Sequence, residues 1–204
     1  NNLIGKLPIN IWIQLSDLIM LMLDHNKLVG TIPNELCNLT ALESLSMGNN
    51  YLTGVIPDCI GKLTKLKNLL LNNLGLSGKI PSGMCSLELL KLDNNNLVGG
   101  IPSCLNSIIE LHLERNLLSS NATQICSMQS LRFLYLQENR FTGKFPIEDC
   151  PLGTLESVDI SVNNFSEVYI PLEMEKLRFF TANTNNISIM SWENLIDLDI
   201  SFVD

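Results

Sequence analysis

Apolar residues recur in a fixed frame along most of the chain. The segment Leu18 to Pro33, LIMLMLDHNKLVGTIP, returns as LESLSMGNNYLTGVIP from Leu42 and as LKNLLLNNLGLSGKIP from Leu66. Further copies begin at Leu87, Ile108, Leu131, Leu155 and Leu177, and a partial one at Leu195. Counted from start to start, the copies are 24, 24, 21, 21, 23, 24, 22 and 18 residues long. A period of this size predicts a repeat solenoid, in which each unit buries its apolar face against its neighbours.

Within the unit LxxLxLxxNxLxGxIP, alternation at LxL predicts a short strand with its leucines inward and the residues between them outward. Stacked copies therefore form a parallel sheet. An Asn just after the strand can both donate to and accept from backbone groups that the turn leaves unpaired. Asn26, Asn50, Asn95, Asn116, Asn139, Asn163 and Asn185 hold that position, whereas Leu74 interrupts the series, predicting a local defect partly covered by Asn73. Gly and Pro close the turn through backbone freedom and a fixed, donor-free extended conformation.

The closure LxGxIP, written here as VGTIP, TGVIP, SGKIP, VGGIP and TGKFP, resembles the plant-type leucine-rich repeat of receptor-like kinases, receptor-like proteins and polygalacturonase inhibitors. The resemblance implies an α/β-type repeat solenoid: a right-handed superhelix with a concave parallel β-sheet, a second short sheet beside it, and an irregular or 3-10 convex side. It implies a non-catalytic module that recognises a protein or peptide ligand, outside the cell or at its surface, in signalling or defence. No cofactor is implied. A co-receptor is implied as a further partner, and a signal peptide, cysteine-paired cap, membrane helix or kinase as neighbouring segments. Residues 1–204 are read as one solenoid fragment opened in mid-repeat at both ends. Ser120, Glu167 and Ile189 replace the turn Gly, so less regular coils are expected there, with Trp192 covering a gap.

Composition narrows the partners. The chain of 204 residues is 46% apolar and 17% charged, with a net charge of -8. It has no broad cationic surface of the kind that binds nucleic acid or anionic lipid. Its longest apolar run, Leu18 to Leu23, falls far short of the roughly 18 residues of a membrane helix.

Six cysteines, Cys37, Cys59, Cys85, Cys104, Cys126 and Cys150, lie in different coils after the IP turn. Counted from the turn Pro or its equivalent, four lie four residues on, while Cys59 and Cys104 lie two residues on. Adjacent coils thus bring Cys37 near Cys59, Cys85 near Cys104 and Cys126 over Cys150, as disulfides or as small buried hydrophobes. No spacing suggests zinc or another metal. Glycosylation sequons occur at Asn38, Asn121, Asn164 and Asn186. Chance alone would supply about three, so their placement on convex or edge positions is more informative than their number.

Outward residues of the strands form two rows on the concave face, the usual extended binding surface of a solenoid. The central stretch holds Lys91, Glu110, His112, Glu114, Arg115, Phe133, Tyr135 and Gln137. Aromatic area and both charge signs suit a peptide or protein loop, with Arg pairing a carboxylate and the acids holding amines. His25 and His112 are the only histidines, and neither lies in a nucleophile motif, so no catalytic residue is assigned. Two alternatives stand beside a receptor module: a secreted polygalacturonase-inhibitor-like protein, and a structural or intracellular scaffold solenoid.

Overall fold

The computed structural model describes residues 1–145, 150–170, 174–192 and 199–200. Nine three- or two-residue strands, from Met20–Met22 through Glu110–His112 and Phe133–Tyr135 to Asp199–Ile200, form one parallel sheet. Its register advances by one repeat at a time: Leu21, Leu45, Leu69, Leu90, Leu111, Leu134, Val158 and Phe180 are successive partners. All of them face the core, because the period of two leaves the flanking residues outward. The copy starting at Leu195 lies outside the described residues except for its strand Asp199–Ile200.

Asparagines fasten coil to coil. Asn50 Nδ2 donates to Met47 O and Gly48 O of its own coil and to Leu23 O of the preceding one, while its Oδ1 accepts the N–H of Leu28. The same pattern repeats at Asn95, Asn116, Asn139, Asn163 and Asn185. Leu74 fills the slot with a buried apolar side chain. Asn73 does not replace the missing amide: it makes no side-chain hydrogen bond among those found for the described residues. The reason is register. Asn73 holds φ 53°, and in every coil the residue before the ladder position takes this left-handed turn. His25, Asn49, Asn94, Arg115, Glu138, Val162 and Thr184 all lie between 51° and 56°.

A second sheet runs along the flank, but in two pieces. Ile4–Lys6, Lys27–Thr31, Tyr51–Val55, Gly75–Lys79, Asn96–Gly99 and Leu117–Leu118 make six strands, and Thr142–Phe145, Asn164–Ile170 and Ile189–Trp192 make three. Gly30, Gly54, Gly78, Gly99 and Gly143 sit at φ between 77° and 91°, which L side chains rarely adopt. Ser120 has no such angle, and the six-stranded piece ends two residues before it, leaving only an isolated Asn121–Thr142 bridge. Glu167 brings a register shift opposite Gly143 and Lys144. The side chain of Trp192 lies outside the described residues.

The convex side carries 3-10 turns at Trp12–Leu15, Asn34–Asn38, Asp58–Lys62 and Thr123–Ser127. On the convex segments 81–88 and 102–107, where the copies shorten to 21 residues, the chain makes plain turns and bends instead. Between these walls lies one continuous core, built of Leu, Ile and Met toward the start and of Phe141, Phe145, Phe165 and Phe180 toward the end.

Candidate ligand-binding face

On the concave sheet, residues flanking the buried Leu111 and Leu134 must point outward, and this brings the central polar residues together. Register pairs His112 with Lys91 on one side and Tyr135 on the other. His112 Nε2 lies 2.6 Å from Glu110 Oε1 and Nδ1 lies 3.5 Å from Glu114 Oε1. Glu110 also takes Lys91 Nζ at 3.1 Å. The Tyr135 ring rests on the imidazole with centroids 4.7 Å apart, and its hydroxyl donates to Ser157 Oγ at 3.3 Å. Asp159 continues the run by accepting the Ser161 hydroxyl at 2.6 Å.

Burial and charge act against each other here. Burial pulls the His112 pKa down, but hydrogen bonds to Glu114 and Glu110 outweigh it and hold the value above the ordinary imidazole range. Glu110 is pushed up by burial and pulled further down by His112 and Lys91, so it ionises more readily than a free carboxyl. Asp93 is pushed up, first by burial and then by the nearby Glu114 charge, with Asn94 opposing. The arrangement is an acidic, half-buried strip with one imidazole and one ammonium already engaged.

Other residues of the central set are placed differently. Arg115 occupies the left-handed turn and pairs with Glu138 at 2.9 Å on the exposed edge. Sequence spacing placed it on the strand; the structure places it in the turn just past Glu110–His112, within range of the Glu114 and Asp93 charges. Phe133 pairs with Glu110 in register and lies under the Arg132 guanidinium, 5.2 Å from its centroid. Gln137 stands in the next row, where Glu114 Oε2, Gln137 Oε1 and Asn183 Oδ1 are enclosed without a donor. Sequence reading missed Asp93, whose exposure of 9% comes from its neighbours on the sheet and not from its own type.

Cys37 is bonded to Cys59 and Cys126 to Cys150. Cys85 and Cys104, brought near by the same spacing, are free thiols; their coils lack the 3-10 turns that carry Cys37, Cys59 and Cys126, although Cys150 is bonded outside such a turn. The sequon residues Asn38, Asn121, Asn164 and Asn186 are all exposed and off the concave sheet. Asn121 and Asn164 share one flank row through Thr142, whereas Asn38 borders a convex cleft of about 770 Å³ with Val55, Pro57 and Lys79. Among the described residues, no group of three or more His, Cys, Asp or Glu is placed to hold a metal, and no helix is long and apolar enough to cross a membrane.

Residues 17–39, 41–63, 86–108 and 130–152 match the leucine-rich-repeat family model. The structure of a TDR receptor superposes with a TM-score of 0.85 at 34% identity, covering 91% of this chain and 33% of that one. The chain folds as a leucine-rich-repeat solenoid and resembles the plant-type repeat. The plant peptide hormone receptor RGFR1, solved in complex with RGF2, matches this leucine-rich-repeat chain at 29% identity and a TM-score of 0.79 over 98% of its length, with 35% of the receptor covered. A curated relative, an adenylate cyclase of Schizosaccharomyces pombe, is 32% identical over 84 residues, which are 41% of this chain and 5% of the cyclase. The leucine-rich-repeat chain thus spans about a third of the receptor chains it resembles and a twentieth of the cyclase.

Proposed function

We propose that the chain is a non-catalytic recognition module that captures a peptide or protein segment on its concave face, as part of a cell-surface receptor in signalling or defence. Residues 1–204 serve as one solenoid unit, extracellular and glycosylated at Asn38, Asn121, Asn164 and Asn186. A co-receptor joins once the ligand is seated.

The observation that carries this reading is the strip formed by Lys91, Glu110, His112, Glu114 and Tyr135. Its aromatic ring offers contact area, and the part-exposed Lys91 ammonium and Glu110 carboxylate present both charge signs to a ligand. A segment in extended conformation supplies backbone amides at the spacing of the rows, and a Lys, Arg or amino terminus suits the acidic excess. RGFR1, with its bound RGF2, supports the same use of the fold.

Selection of a displayed random-peptide library against the chain tests this. Binders should be enriched in basic residues, and His112→Ala, Tyr135→Ala and Phe133→Ala should each weaken them about tenfold or more, the usual scale of an anchor residue. Unchanged binding by all three variants, with circular dichroism showing the fold intact, would remove the site.

A further inference from the structure

Two of the three cysteine pairs are bonded, and the third differs from them in a way that points to chemistry. Cys37 lies four residues after Pro33 and Cys59 two residues after Pro57; Cys85 and Cys104 stand in the same relation to Pro81 and Pro102. In both pairs the second cysteine falls two residues short of a full repeat: 22 residues after the first where the repeat is 24, and 19 where it is 21. The coil-to-coil register that brings Cys37 and Cys59 to a Cα separation of 5.9 Å is therefore repeated at Cys85 and Cys104, whose thiols lie close enough to act on one another.

What distinguishes the third pair is its surroundings. Cys85 is exposed, whereas the four bonded cysteines are half-buried or buried. Each bonded pair has at least one cysteine held in a 3-10 turn, Cys37 and Cys59 in one pair and Cys126 in the other; Cys85 and Cys104 both sit on plain turns of the two shortened coils. Gly83, two residues before Cys85, closely approaches Gly61 of the preceding coil, and Cys85 itself is open to solvent. A thiol exchanges only as fast as its sulfur can be reached.

We propose that Cys85 and Cys104 form a third cross-coil disulfide, made and broken reversibly by exchange with a small disulfide of the glutathione type. The Cys85 thiolate attacks one sulfur of oxidised glutathione and expels the first glutathione thiolate, leaving a mixed disulfide on Cys85. The Cys104 thiolate then attacks Cys85 Sγ and expels the second. Two protein thiols are oxidised to one disulfide, one glutathione disulfide is reduced to two thiols, and the two protons pass to the departing thiolates. Cys104, its pKa held up by burial and by Cys85, retains its proton until the neighbour has been engaged. The bond ties the coil from Leu66 to the coil from Leu87, whose strand carries Lys91 on the concave face.

The whole chain should be incubated with oxidised glutathione, quenched by alkylation and analysed by intact mass and by non-reducing peptide mapping. The expected product has lost two hydrogen masses, takes up no alkylating label, and yields one cross-linked peptide pair containing Cys85 and Cys104. Reduced glutathione should restore two labelled thiols while Cys37–Cys59 and Cys126–Cys150 stay closed. The variant Cys85→Ser should instead leave Cys104 alkylated or singly glutathionylated. Stable adducts on both cysteines, or full labelling of both after oxidation, would overturn the proposal. Simultaneous opening of all three pairs at one reductant concentration would overturn its reversible, selective character.

Discussion

Coils up to Gly99 and coils from Ile108 onward stack in the same way with different residues. The first group has the turn Gly in place, a core of Leu, Ile and Met, and Asn at three of its four left-handed positions, Asn49, Asn73 and Asn94. The second loses the Gly at Ser120 and Glu167, packs Phe141, Phe145 and Phe165 into contact with ring centroids 5.7 to 6.2 Å apart, and puts Arg115, Glu138, Val162 and Thr184 at the left-handed positions. The flank sheet crosses this seam by a single strand, Leu117–Leu118, and breaks at Ser120, while the concave sheet runs on. The difference teaches which interaction sets which sheet. Concave pairing follows the inward apolar residues, which persist and carry the sheet even past Leu74, where the ladder Asn is missing; flank pairing needs a backbone angle that Ser120 does not take. The proposed binding strip lies across the seam, on the sheet that ignores it.

The contrast can be broken from either side. Phe165→Ala should cost about 3–5 kcal/mol by chemical denaturation, because a large void opens where three rings meet and short coils collapse poorly; a loss below that of a typical surface change would mean the Phe cluster is not the second group's core. Asn116→Ala removes an amide that serves Leu92 O, Leu113 O, Glu114 O and Leu97 N–H. The orphaned groups should cost about 2–4 kcal/mol, and hydrogen exchange should quicken at Leu97 first. Val162→Asn relieves a β-branched residue at φ 51° and should raise stability by about 0.5–1 kcal/mol, a gain the first group cannot show at Asn49.

Smaller effects sharpen the picture. The raised His112 pKa contributes stability that is fully present below the ordinary imidazole value of about 6.5 and is lost as pH rises through the raised folded value. Glu110, lowered in the fold, contributes above the ordinary carboxyl value and loses it as pH falls through its lowered one. Asp93 acts in the sense of His112, since its ionised form is disfavoured. Denaturation midpoints should therefore be highest in mildly acidic buffer and decline toward neutral and alkaline pH, and His112→Gln should flatten that alkaline decline. Smallest of all, Ser120→Gly should change stability by well under 1 kcal/mol yet slow hydrogen exchange between Ser119 and Thr142, joining the flank sheet; unchanged exchange would show that residue type at Ser120 is not what divides it.

The solenoid was legible because its period, its ladder Asn and its turn Gly each do one thing that few residue types can do. His112, Lys91 and Tyr135 could be placed together since strand alternation and repeat length fix their row. Less was legible where the backbone imposes itself on dissimilar residues. Nothing in His25, Arg115, Glu138 and Val162 announces a shared left-handed turn, and Arg115 accordingly sits in that turn and not on the strand that spacing gave it. The burial of Asp93 depends on neighbours contributed by another coil, and the split between bonded and free cysteines on the local wall around them, neither of which the spacing records.

The missing rung at Leu74 has a mechanical meaning. A linear array is as cooperative as its weakest junction, and at this junction the amide that elsewhere stitches two coils is replaced by apolar contact alone. Pulled from its ends, or warmed slowly, the array should part there first, into a short front block and a longer rear block that carries the whole of the proposed binding strip.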